Sequence, residues 1–437
     1  MHVQNAVAER PGPGRRSDTP RPRTSDWLIA IGGALVLADA LDAPLWALFG
    51  TRDLVLFGAP VARLPLLFVC AGTALLLEGD RHALRSSVRA AWPVWPALAL
   101  AFASTAWSDR PHTTLLWALA LLGTTAFGIA LDIRFTARAQ AALVAGVVTG
   151  IAALSVGAAL LFANNRIGVV GYWNGLYVQK NLLGRVLALG VVASAVTAQN
   201  PRWRGVGLGA LLCGGVLAIS RSVASILAAG VALAAMCCLI AARAYRGAAY
   251  AILAAGTVTT VATVLLLIGT KPGLQLLARG DTFTDRTRIW RLVTEGTAPV
   301  PWLGHGYGAF WTGPAGRKVN TTFAKPINHA HNGAVDLYAE LGIVGLVVVL
   351  VPVAFAALAA ARHALRLGPV ACLWPATYVV FFVASNVAES ALLRHKLYWA
   401  LFVAVLCHVV RQRGQRLPLA SPAPRAARDT AGRAIPC

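Results

Sequence analysis

Apolar stretches of bilayer length, separated by short polar intervals, recur along the chain from Trp27 to Val410. Twelve can be placed, at about 27–50, 58–78, 91–107, 114–132, 140–163, 182–198, 206–219, 223–241, 248–270, 333–360, 369–387 and 397–410. A helix needs roughly 17 to 25 apolar residues to cross hydrocarbon, and in lipid every backbone amide must find its partner inside the segment. The pattern predicts an all-α, polytopic membrane helical bundle of about 12 transmembrane helices, one membrane domain over residues 27–410. It is interrupted once at length. Residues 271–332 make a long polar loop between spans nine and ten, far beyond ordinary helix connections, and loops of that size usually carry function.

Composition agrees: 57% of residues are hydrophobic and only 13% are charged, with a mean hydropathy of +0.64. Soluble domains carry about twice that charged fraction, and no segment reads as a separate soluble domain. The net charge of +22 raises the question of nucleic acid. However, the basic residues gather in short alternate connections, such as Arg81, Arg85 and Arg89 or Arg134 and Arg138, which is how cytoplasmic loops retain Lys and Arg. That distribution argues against a nucleic-acid partner, turns both termini inward and leaves 271–332 outside. Residues 1–26 and 411–437, rich in Pro, Arg and Ala, are expected to be disordered cytoplasmic tails. The pair Arg15-Arg16 is followed by an apolar run only at Trp27, and that run is full-length, so it reads as a first membrane helix and not a cleaved signal. The seven cysteines lie in apolar segments or at the extreme C-terminus without a CxxC, and imply neither a disulfide framework nor a zinc site.

Three outward intervals carry candidate chemistry: WSDRPHT from Trp107, residues 164–181, and 271–332. The last holds eight Lys and Arg against three acids, Asp281, Asp285 and Glu295, which favours an anion; the plain alternative leaves those arginines solvated or on lipid head groups. Gly304, Gly306 and Gly308 alternate with His305 and Tyr307, a stretch able to bring backbone close to a ligand. His329 and His331 form an HxH pair with no third ligand at a zinc spacing, so no metal is expected. Asn332 is placed to cap a helix beginning at Gly333. The positive end of that helix would hold an anionic group and disfavour an imidazolium at His331, leaving the ring able to accept a proton. Interfacial packing of His331 and a purely structural cap at Asn332 are the competing readings. Of the ionisable residues within or beside spans, Asp39 and Asp42 are expected to pair with Arg63, while Glu389 either orients an arginine or pairs with Arg394 or Lys396.

The ordered motifs add a resemblance. His331-Asn332, nine residues, then Gly342-Ile343-Val344-Gly345 is similar to the H-N-x9-G-x-x-G signature of the O-antigen ligase and polysaccharide polymerase family, the Wzy-type C-terminal domain, including Glu340-Leu341-Gly342. WNGLYVQKNLLGR, with Lys180, Asn181, Gly184 and Arg185, resembles its H-K-N-x-x-G-R segment, with Gln179 where His is frequent. ISRS, with Ser220 and Arg221, resembles an S-R-[ST] segment, and DRTRIW resembles G-R-x-x-x-W with Asp285 in place of Gly. WLGHGYGAFW and WSDRP are similar to two further motifs, so the resemblance covers about residues 107–390.

The resemblance implies a twelve-span, metal-independent, inverting glycosyltransferase in a bacterial cytoplasmic membrane, acting on its extracytoplasmic face without a cofactor. Its donor would be an undecaprenyl-diphosphate-linked glycan and its acceptor a glycan or lipid, with membrane lipids as the surrounding partners. The family's essential histidine falls on His331, its loop arginine on Arg286 and its outer-loop arginine on Arg185; Arg288, Arg221, Lys180, Asn181, Asn332 and Glu389 are candidate substrate contacts. A polymerase of the same family shares these signatures. A transporter or flippase of an anionic lipid-linked glycan would instead show broken spans in two related halves, and the sequence has no such repeat.

Overall fold

The computed structural model describes residues 22–41, 64–78, 81–161, 173–177, 179–200, 205–269, 284–323, 327–366 and 373–414. Among these there are fifteen α-helices and no strand. Twelve overlap the apolar intervals one to one: α1 (Thr24–Leu37), α2 (Leu64–Leu77), α4 (Trp95–Ala103), α5 (Pro111–Arg134), α6 (Ala137–Leu161), α7 (Lys180–Ala198), α8 (Gly207–Ser220), α9 (Val223–Ala244), α10 (Ala249–Gly269), α13 (Gly333–Arg366), α14 (Leu373–Asn386) and α15 (Leu397–Gly414). Among the described residues five of these, α5, α6, α7, α9 and α13, are long and apolar enough to cross a membrane by length and composition, and most of the others are shorter apolar helices. The protein is thus a helical membrane protein, all-helical over its described residues. The remaining helices, α3 (Arg81–Ala90), α11 (Thr284–Thr297) and α12 (Pro314–Asn320), are polar.

The most enclosed helices are α14 and α15. Trp374, Tyr378, Phe381 and Phe382 of the first and Tyr398, Trp399 and Phe402 of the second are buried, and the rings of Phe382 and Phe402 stack at 5.1 Å and 16°. One polar contact in this core is a relay: the Trp399 indole donates to the Thr125 hydroxyl at 3.0 Å, and that hydroxyl donates to the Leu121 carbonyl one turn back. In hydrocarbon, helices associate by close packing and not by water expulsion, so small residues set the approach. A Cβ on Gly128 of α5 would lie 2.4 Å from the Ala400 carbonyl oxygen of α15, which shows how nearly those backbones touch.

The interval 271–332 departs from its reading as a long loop. From Thr284 its described part is a folded cap of α11, α12 and the 301–312 segment, around an apolar cluster of Ile289, Val293, Phe310, Val319, Ala330 and Ala339. The signal was in the sequence: Arg286, Ile289, Trp290, Val293 and Thr297 recur at helical spacing and form the inward face of α11.

The cap is locked into a break in α13. Gly342 has φ +63° inside that helix, and the segment before Gly304 fits against the break so closely that a Cβ on Gly342 would lie 2.3 Å from the Trp302 carbonyl. The hydrogen bonds that the helix gives up are taken by the segment: His305 N donates to Ala339 O, Gly306 N to Glu340 O, Ile343 N to Pro301 O and Val344 N to Trp302 O, at 2.9–3.1 Å. Gly304, Gly306 and Gly308 therefore bring backbone close to protein, not to a ligand as the sequence reading had it: Cβ atoms there would meet Glu340, Ser108 and Trp117. Trp107 and Asp109 clamp the same segment from the α4–α5 connection, through Leu303 O at 3.1 Å and His305.

Candidate active site

At the end of the bundle beneath this cap, the turn before α13 carries His331. Asn332 caps the helix as expected: its Oδ1 accepts from Ala334 N at 3.0 Å and Val335 N at 3.2 Å. Its amide nitrogen donates to Val387 O at 3.2 Å, tying the turn to the 387–396 segment between α14 and α15. To enter the cap His331 adopts φ +54°, a left-handed conformation that costs a non-glycine residue on the order of 1–3 kcal/mol and persists only where the surroundings hold it. The surroundings here include the Trp290 indole, which donates to Ala330 O at 2.9 Å.

The two arginines singled out with His331 converge on the same place. Arg286, on the buried face of α11, meets Glu389 at 3.4 Å; His331 Nδ1 meets the same Glu389 Oε1 at 3.4 Å. Arg185, in the second turn of α7, donates to the Ser390 carbonyl at 3.2 Å and lays its guanidinium 4.6 Å over the Tyr398 ring. Residues from three distant parts of the chain thus gather around one carboxylate. Glu389 orients an arginine, as one sequence alternative held, but that arginine is Arg286. Arg394 instead pairs with Glu340 at 2.8 Å and lies 3.8 Å from Asp336. Lys396 pairs with Asp39; the expected pairing of Asp39 and Asp42 with Arg63 falls on Asp42 and Arg63, which lie outside the described residues.

The other candidates lie farther out. Arg288 is exposed, 5.2 Å over the Phe323 ring. Arg221 is exposed at the left-handed C-cap of α8, φ +52°. Asn181 accepts from the Ser222 hydroxyl at 3.3 Å, joining the start of α7 to that of α9, and Lys180 is half-buried beside it. His305 has both ring nitrogens engaged, Nδ1 with Asp109 at 2.8 Å and Nε2 with Gly296 O at 3.1 Å, so it joins cap to bundle.

Electrostatics follow from this crowding. Burial works to raise the Glu389 carboxyl, but the hydrogen bond and charge of His331, with Arg185 and His329, outweigh it and hold the group at about 2. Desolvation, joined by the charges of His331 and Arg185, pushes His329 down to about 4 against the opposing pull of Glu389 and Asp336. The reading that the HxH pair lacks a third ligand is corrected: Glu389 supplies one, and the ligand atoms of His329, His331 and Glu389 lie within 4.8 Å of one another. The signal was not local, because Glu389 is 58 residues from His331. With the guanidinium of Arg286 on the same carboxylate and Arg185 beside it, the surroundings suit an anion better than a cation.

Sequence reasoning overlooked Asp336, Glu340 and Arg394 as a group. They form a buried ionic cluster behind the site, with the Arg394 guanidinium 5.5 Å over Trp117 and the Tyr307 hydroxyl on Leu393 O at 2.5 Å. The acids had a signal, since both lie on the buried face of an otherwise apolar helix at i and i+4.

Comparison with known proteins gives the same direction. Residues 208–350 match the model of the O-antigen ligase family. The exopolysaccharide production protein ExoQ of Rhizobium meliloti (strain 1021) is 29% identical over 187 residues, 40% of this chain and 43% of that protein. The matched part thus spans less than half the length of this relative.

Proposed function

We propose that the protein is a glycosyltransferase of the O-antigen ligase kind, which moves a glycan from an undecaprenyl-diphosphate-linked donor to an acceptor hydroxyl outside the cytoplasmic membrane. The reading rests on one observation above all: His331, Arg286 and Arg185 meet around Glu389 at the capped end of the bundle.

Diphosphate is already a good leaving group, so the protein has to activate the acceptor and hold the departing charge. With Glu389 accepting from Nδ1–H, the lone pair of His331 lies on Nε2. Nε2 takes the hydroxyl proton as the acceptor oxygen forms its bond to the anomeric carbon. The bond to the diphosphate oxygen breaks on the opposite face, its electron pair leaves with the diphosphate, and the configuration inverts; the imidazolium later returns its proton to solvent. Arg286 and Arg185 pair with the diphosphate, whose oxygens suit the planar guanidinium fork. Glu389 then serves two groups in turn, orienting Arg286 before the donor arrives and His331 throughout. No metal is used in this scheme, and transfer should survive EDTA; loss restored by a divalent cation would assign the His329, His331 and Glu389 cluster to a metal instead.

His331→Ala should abolish glycan transfer at unchanged membrane expression, a loss of about 10²–10⁴-fold for a general base. Retained transfer would remove His331 as the base. A second reading, polymerisation onto another lipid-linked repeat unit, draws support from the similarity to an exopolysaccharide production protein. Purified donor alone should yield no product under ligation and lengthened lipid-linked chains under polymerisation.

A further inference from the structure

We propose that Asp336 is a positioning residue that sets the geometry between His331 and Glu389. The inference rests on the reading of His331 as base. Asp336 lies in the first turn of α13 and is 1% exposed. Both carboxylate oxygens accept from Ala330 N at 3.0 Å; Oδ1 also accepts from the Trp311 indole at 2.7 Å, and Oδ2 from the Ser390 hydroxyl.

Two of these donors have a telling place in the chain. Ala330 immediately precedes His331, and Ser390 immediately follows Glu389. One carboxylate therefore holds the backbone just before the base and the side chain just after its acidic partner, while the Trp311 indole fixes the carboxylate to the cap. This supplies what the left-handed turn at His331 requires, since an unanchored residue at φ +54° would relax. Each hydrogen-bond partner is a donor, with the Arg394 guanidinium 3.8 Å behind, so an acceptor-only group is needed. An asparagine at 336 would turn an NH2 group against N–H or O–H donors and release one side of the pair.

The test uses Asp336→Asn in the full chain. In native-host membranes charged with radiolabelled sugar nucleotide, turnover should fall about 100-fold, the usual cost of a misplaced catalytic group. Undecaprenyl diphosphate should bind the purified protein within about twofold of wild type, because its arginines remain. Hydrogen exchange at the Ala330 amide should speed up, and diethylpyrocarbonate should modify His331 faster. In a Glu389→Gln background the added substitution should cost less than about threefold, because the geometry it guards is already lost. Unchanged exchange and modification, or full additivity with Glu389→Gln, would overturn the proposal. Should Asp336→Asn not fold, Ser390→Ala and Trp311→Phe each remove one donor and should give smaller losses of the same kind; normal turnover in both would equally overturn it. Exchange and modification need no glycan, so they judge Asp336 even if His331→Ala retains transfer and the catalytic reading fails.

Discussion

The two ends of the bundle both bury arginine against carboxylate, yet the pairs are built differently. At the end away from the cap, Asp132 accepts from Arg411 at 2.7 Å and from Ser87 at 2.9 Å, joining α5, α15 and α3. Neighbouring guanidiniums close helix ends: Arg134 donates to Leu76 O at 2.6 Å and Arg243 to Ala364 O at 2.6 Å. Cations on terminal carbonyls complement the helix dipole. Under the cap, Glu389 is shared by Arg286 and His331 at 3.4 Å each, and left-handed residues His331 and Leu393 flank it. Short, closed pairs hold a fold. A long, shared pair in a strained setting can exchange Glu389 for another anion, and that difference separates the end that supports from the end proposed to react.

The sharpest way to break the comparison is to remove one charged partner from each end. Arg286→Ala should lower transfer by about 10³-fold and Arg286→Lys by less, because lysine keeps the charge but lacks the fork; equal transfer in all three would return Arg286 to a structural role. Asp132→Ala should do the reverse. It should lower stability by about 3 kcal/mol, read as an earlier thermal unfolding, with transfer per folded molecule unchanged. A selective loss of transfer would mean the two ends are coupled.

A smaller effect is expected at Gly342, where alanine meets both the positive φ and the Trp302 carbonyl. Gly342→Ala should cost about 1–3 kcal/mol and loosen the 301–308 segment, detectable as faster proteolysis of the cap. The smallest is a pH effect on stability at His329. Its pKa is lowered from 6.5 unfolded to about 4 folded, so between those values the unfolded chain binds the extra proton. Stability should fall as pH drops from 6.5 toward 4 and level off below, and His329→Gln should flatten that slope. An unchanged slope would assign it to other groups.

Much of the helical layout was legible because apolar runs and caps are local: all twelve intervals overlap helices, and Asn332 caps α13 from the position its sequence implied. His331, Arg286 and Arg185 were legible only as members of an ordered resemblance, with nothing in the sequence to bring them within reach of one another. The choice of partner for Glu389 among Arg286, Arg394 and Lys396 was not legible at all, since it depends on where α11 docks and on Glu340 and Asp39 taking the other two.

By itself, then, the sequence determined where the chain is apolar enough for helices in lipid, which end of α13 carries a capped histidine and which segments are rich in arginine. Tertiary structure decided that the described part of the polar interval is a folded cap seated in a break of α13, and that one carboxylate, 58 residues from His331, brings the histidine and Arg286 together. The physical reason is range. Hydrophobic periodicity and capping act over a few residues, whereas an ion pair forms between whichever charges packing brings into contact, and packing depends on the whole bundle at once.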